Sequence, residues 1–127
     1  MSVYLAIAIG GSAGAVSRFW VSNVTYQWLG YNFPYGTLAV NLLGSLLMGF
    51  LSVLLVQRLE ISEEVRLGVI SGFLGSFTTF STFALDSLQW INSGAYVKVI
   101  LYIGLSVTFC LFGAWLGLIT GKQIFLR

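Results

Sequence analysis

The stretch GFLGSFTTFSTF, residues 72–83, sets five hydroxyl side chains (Ser76, Thr78, Thr79, Ser81, Thr82) among four phenylalanines (Phe73, Phe77, Phe80, Phe83). It lies in a segment without a single charge, between Arg66 and Asp86. Gly72 and Gly75 weaken a helix at this point, and Ser and Thr oxygens compete with the backbone for its own partners. The pattern predicts an unwound turn near Gly75–Thr79 whose freed carbonyls could hold a cation. Breaks at membrane depth survive only under protein or water and often mark ion sites. The competing reading is a continuous helix with its hydroxyls bonded to the preceding turn. Phe80 and Phe83 share a face at i, i+3. Such a pair ordinarily packs against lipid or core, but a benzene ring has a positive edge that can favour a small anion.

Three further stripes of polar or small residues repeat every four positions. Gly10, Gly14 and Arg18 form the first, Thr37, Asn41 and Ser45 the second, and Tyr102, Ser106 and Cys110 the third. Glycines at that spacing admit a neighbouring helix. A guanidinium inside a span costs about 2.5–3.5 kcal/mol on insertion scales. Arg18 therefore either snorkels to the near interface or faces a wet, anion-attracting cavity. Asn41 has no water to bond in hydrocarbon, so its amide either joins two helices or points at a pore. Three stripes in so short a chain suggest convergence on water.

Several chemistries are excluded. There is no histidine, so Ser-His-Asp and Cys-His catalysis and histidine metal sites are absent. Cys110 is the lone cysteine and has no internal disulfide partner. The net charge of +2 is too small and too scattered for nucleic-acid binding. No enzymatic activity is expected.

The elements that must position these residues follow from charge and hydropathy. Hydrophobic residues make up 57% of the 127 and charged residues 8%, against about 25% charged in a soluble domain. The chain reads as one all-α integral membrane domain, residues 1–127, in the lipid bilayer. A span needs about 20 apolar residues, so the uncharged run 19–57 must break, and LGYNFP at 29–34 supplies the turn. Four transmembrane helices are expected at about 3–29, 34–56, 63–91 and 97–120, the third broken near Gly75–Thr79. Ser62 before Glu63 and Glu64 reads as an N-cap. NSG at 92–94 ends the third helix. The apolar start lacks a basic flank and reads as a retained first helix rather than a signal peptide. Trp20, Trp28, Tyr31, Tyr35, Trp90 and Tyr96 suit an interfacial aromatic belt.

GFLGSFTTFSTF, GTLAVNLLGS (36–45) and GGSAGAVSR (10–18) together resemble the Fluc (CrcB) family of bacterial fluoride channels over essentially the whole chain. The resemblance implies a multi-pass protein of the bacterial cytoplasmic membrane that lets fluoride leak out passively. It also implies an antiparallel, dual-topology homodimer with two fluoride pores and one structural sodium ion at its centre. Carried onto this sequence, Phe80 and Phe83 are the ring pair of the pore and Asn41 donates to fluoride. Tyr102, Ser106 and Cys110 form a polar track, with Thr37 and Ser81 beside the same path. Arg18 stands near the vestibule, and the backbone carbonyls of Gly75 and Thr78 hold sodium. The chain departs from the family at Ala84 and Asp86, where Ser and Glu are frequent, and at Cys110, where a serine is expected. The alternative activity is a proton-coupled small exporter of the multidrug type, which needs a membrane-embedded acid. Asp86 is the one candidate. A non-transporting assembly subunit is a third reading.

Charge counting pulls against dual topology. Arg58, Arg66, Lys122 and Arg127 fall on the side of the termini, and Lys98, with Arg18 if it snorkels, on the other. That bias favours one orientation by the positive-inside rule, although the first helix, which usually dominates, carries no basic residue before Arg18.

Overall fold

The computed structural model describes residues 2–58 and 60–126, with the side chain of Arg58 left aside. Arg127 of the charge count lies outside the described residues. Helix α1 runs Val3–Leu29, capped by the Ser2 hydroxyl accepting from the Leu5 N–H. It ends at Gly30, whose φ of 83° is a conformation that favours glycine. Helix α2 runs Tyr35–Ser52 with Pro34 at its N-cap, and a π-helical stretch, Val53–Arg58, continues it. The third span starts as α3, Glu63–Leu67, with Ser62 accepting from the Val65 N–H. It continues as a π-helical stretch, Gly68–Leu74, and a single turn, α4, Gly75–Phe77. Thr78 (φ −83°, ψ 158°) and Thr79 (φ −148°, ψ 110°) are extended. Helix α5, Phe80–Asn92, then leads through a turn containing Gly94 (φ 75°) to α6, Tyr96–Phe125. The last helix thus runs five residues beyond Thr120.

Four helical spans are long and apolar enough to cross a membrane: Val3–Leu29, Tyr35–Gln57, Glu63–Asn92 and Tyr96–Phe125. Four crossings put the 30–34 loop and the 93–95 turn on one side. Phe33 and Trp90 meet there at 5.5 Å between ring centroids. Large apolar side chains such as Phe19, Leu111 and Phe112 are exposed, as lipid-facing residues must be.

Two close helix contacts hold the subunit, and glycines make both. A Cβ added at Gly10 would collide with the Gly68 carbonyl, and one at Gly14 with the Phe73 carbonyl. Helix α1 therefore lies directly on the Gly68–Leu74 stretch. A Cβ at Gly49 would strike the Ala114 carbonyl, and one at Gly117 the Leu46 carbonyl, so α2 and α6 are equally close. In lipid such backbone proximity replaces the hydrophobic effect as the source of packing energy. Helix α5 packs on α6 and only lightly on α2.

Gly14→Val should force α1 off the third span. The expected loss is about 1–3 kcal/mol or more, as in overpacked cores, with a broadened gel-filtration profile. Gly104 has nothing within 4 Å of an added Cβ. Gly104→Ala should therefore match or exceed the parent melting temperature, because alanine is the better helix former.

Candidate functional site

The extended pair Thr78–Thr79 leaves backbone groups that helix geometry would have satisfied. Asn41, one helix away, takes up both of those on Thr79. Its Nδ2 donates to the Thr79 carbonyl at 2.9 Å and its Oδ1 accepts from the Thr79 N–H at 2.7 Å. The N–H can only meet Oδ1, so this pairing also fixes which way the amide points. The Thr79 hydroxyl accepts from the Thr82 N–H at 3.2 Å, capping α5, and donates to the Thr82 hydroxyl at 2.9 Å. Ser81 is exposed, with its Oγ 3.4 Å from the Thr79 hydroxyl.

This pairing has a consequence for Gly75 and Thr78. In an unbroken helix the Thr79 N–H would bond the Gly75 carbonyl and the Thr82 N–H the Thr78 carbonyl. Both donors are engaged elsewhere. Two carbonyls thus stand without their helical donors, and Gly75 lies on an exposed face. Gly75 itself is helical, so the extended backbone is confined to the two threonines.

A cavity of about 350 Å³ opens beside the break. Asn41, Ser45, Ser106 and Cys110 contribute its polar lining from α2 and α6, and Phe80 and Phe83 face them from α5. The two rings are 5.4 Å apart and tilted by 43°. Phe80 is 79% exposed, so one wall of the cavity is open in the single subunit. The Ser106 hydroxyl is buried with no hydrogen-bond partner among the described residues. Gly44 lies where α2 passes closest to the break, since a Cβ there would strike the Thr78 methyl group.

Thr37 and Tyr102 are not in that lining. Both donate their hydroxyl hydrogens to one oxygen, Oδ2 of Asp86, each at 3.2 Å. Tyr102 is fully buried and surrounded by Phe33, Phe83 and Trp90 at ring distances of 5.1–5.8 Å. The sequence offered Asp86 only as the coupling acid of an exporter; its position three residues after Phe83 was the available signal for this contact. Arg18 is half-buried on α1 and lines neither this cavity nor the smaller one near Asp86.

The structure therefore brings together Asn41, Phe80, Phe83, Ser106, Cys110 and Thr78. It sets Thr37 and Tyr102 apart on Asp86, and leaves Ser81, Gly75 and Arg18 outside the cavity. Ser45, from the same stripe as Asn41, is in the lining, and Thr79 and Met48 join it beyond the residues expected from sequence.

The sequence model described as CrcB-like protein, Camphor Resistance (CrcB), matches residues 5–118. A Methylococcus capsulatus protein named "Fluoride-specific ion channel FluC" is 50% identical over 119 residues, covering 94% of this chain and 52% of that protein. Proteins of the same name from Hydrogenovibrio crunogenus and Magnetococcus marinus are 46% and 48% identical. Those alignments cover 95% and 93% of this chain, and 92% and 96% of theirs. The chain spans about half the length of the first relative and nearly all of the other two. The names are those of a channel and not of an enzyme. With a family match over most of its length and four spans in the same chain, this multi-pass membrane protein belongs to the CrcB family.

Proposed function

We propose that the protein is a passive channel through which fluoride leaves the bacterial cytoplasm across the inner membrane. The observation that carries this reading is the wall-to-wall composition of the cavity. Amide, hydroxyl and thiol donors from α2 and α6 face a pair of phenyl rings, and among the described residues no cationic side chain lines it. Fluoride holds water strongly, so several donors must replace its shell. A fixed positive charge at the narrowest point would bind it too tightly to conduct. Asn41 spends one N–H on Thr79 and has a second for an anion. Ser106 offers an unpartnered hydroxyl. Cys110 supplies a weak S–H donor. Phe80 and Phe83 add aromatic rings, whose edges carry positive potential. Thr37 and Tyr102 give their hydrogens to Asp86, so fluoride reaching them competes with a carboxylate for the same donors. Ser81 and Arg18 belong, on this reading, to the approaches.

The test is efflux from liposomes holding the purified protein. Fluoride should leave fast, and its rate should not change when a pH gradient is imposed. Flux that tracks protons would make the protein an exporter, and no flux would make it an assembly subunit.

The functional unit is an antiparallel homodimer with a structural sodium ion. The open wall of the cavity beside Phe80 supports a second subunit. So do the carbonyls of Gly75 and Thr78, whose helical donors are engaged elsewhere among the described residues; they suit a hard cation but are too few to replace its hydration shell. A two-fold axis in the membrane plane would double them. When bound, sodium would supply a charge that joins the two broken spans. One-sided labelling of a single cysteine near Lys122, on a Cys110→Ser background, should modify about half the copies, as mixed insertion requires. Modification of all or of none would establish a single orientation. Exchange of sodium for a large organic cation should lower dimer stability.

A further inference from the structure

A second cavity, of about 180 Å³, lies on the side of the 30–34 loop and the 93–95 turn. Its walls include Tyr26, Tyr31, Phe33 and Trp90, with Asp86 and Gln89 as polar groups. The Tyr26 and Tyr31 rings are stacked 4.9 Å apart, and Phe33 meets Trp90 at 5.5 Å. Asp86 spends only Oδ2 on Thr37 and Tyr102; among the described residues nothing donates to Oδ1. A carboxylate oxygen among aromatic side chains is the chemistry that receives a diffuse organic cation. The same set is poor for a divalent metal ion, which demands several oxygens. The Lys98 ammonium already lies over the Trp90 ring, 5.6 Å from its centroid. That ring accepts a cation in the protein as it stands.

We propose that this cavity is a binding site for small ammonium cations, and for trimethylammonium groups foremost. The positive head sits against the aromatic walls with Asp86 Oδ1 as its counter-charge. Its volume of about 180 Å³ has room for a trimethylammonium head. Tetrahedral methyl groups need no directional donor or acceptor beyond those present. Lys98, outside the lining, repels the incoming charge and sets a ceiling on affinity. The position at the membrane interface gives two sources of the same group, a choline lipid headgroup or a free quaternary ammonium from solution. Binding at this site does not depend on fluoride conduction, so failure of one leaves the other intact.

The probe is tetramethylammonium chloride, titrated into the purified full chain in lipid-free detergent and followed by saturation-transfer NMR and calorimetry. Saturable binding is expected, and tert-butanol, its neutral isostere, should not bind. Asp86→Asn should weaken binding at least about tenfold. Gln89 is exposed, so Gln89→Glu should fold normally and tighten binding by adding a second carboxylate. Lys98→Gln should tighten it as well. In nanodiscs, weaker tetramethylammonium binding in phosphatidylcholine than in an uncharged galactolipid, whose surface does not itself attract cations, would identify the lipid headgroup as the occupant. Equal binding in both would identify the free cation. Absence of saturable binding, equal binding of tert-butanol, or affinities indifferent to both Asp86→Asn and Gln89→Glu would overturn the proposal.

Discussion

Asn41→Asp is expected to abolish fluoride efflux while changing the side chain by a single atom type. The carboxylate keeps an acceptor for the Thr79 N–H but loses the donor to the Thr79 carbonyl. One buried acceptor left unpaired costs roughly 1–3 kcal/mol. The larger effect is on the ion, because a negative charge replaces an amide donor in the lining of an anion path. Asn41→Leu separates the two effects. It strips both backbone groups of Thr79 of their partner, and two orphaned groups cost roughly 2–6 kcal/mol. Thermal unfolding in detergent should therefore rank the parent above Asn41→Asp, and Asn41→Asp above Asn41→Leu, while both variants lose flux. An Asn41→Leu protein as stable as the parent would show that the pairing does not hold the extended segment in place.

The second large effect is expected at the ring pair. Phe83→Ile and Phe80→Ile exchange an aromatic for an aliphatic side chain at small cost in packing. Stability should fall by less than about 1.5 kcal/mol. Efflux should fall at least about tenfold, the equivalent of ~1.4 kcal/mol in the barrier, because an alkyl group has no positive edge to offer. Phe80 is the cleaner test, being 79% exposed in the subunit and so contributing little to its core. Phe83 also touches Tyr102, at 5.1 Å between rings. Loss of flux at Phe83 alone would trace to that contact, and unchanged flux in both variants would reduce the rings to packing.

The spans were legible in the sequence because charge and turn residues bound them. Pro34, Ser62 and the NSG turn act locally, and each sits at an element boundary. The glycine spacing in α1 was legible for the same reason, since a four-residue repeat marks one helix face. What joins residues far apart in the chain was not legible. Asn41 meets Thr79 across 38 positions and Thr37 meets Asp86 across 49. Spacing within one helix gives the face a side chain takes but not the partner opposite it. Asn41 therefore read equally as glue or as a pore donor, and in the structure its first duty is to backbone. Asp86 read as an isolated acid because its two donors come from different helices. The π-helical stretches left no local mark, as their residues are ordinary helix or membrane residues.

The Gly68–Leu74 stretch carries a further consequence for how the third span is clocked. Its hydrogen bonds reach one residue further than α-helical ones, whereas an α-helix turns about 100° per residue. Over its seven residues the chain falls behind the azimuth that a continuous α-helix would reach. The turn Gly75–Phe77, still helical, inherits that rotational offset and hands it to the extended pair Thr78–Thr79. The stretch is thus a dial on the phase of the third span: it sets the direction from which the chain enters the extended pair that Asn41 receives. Helix α1, seated on those same residues through Gly10 and Gly14, holds the dial.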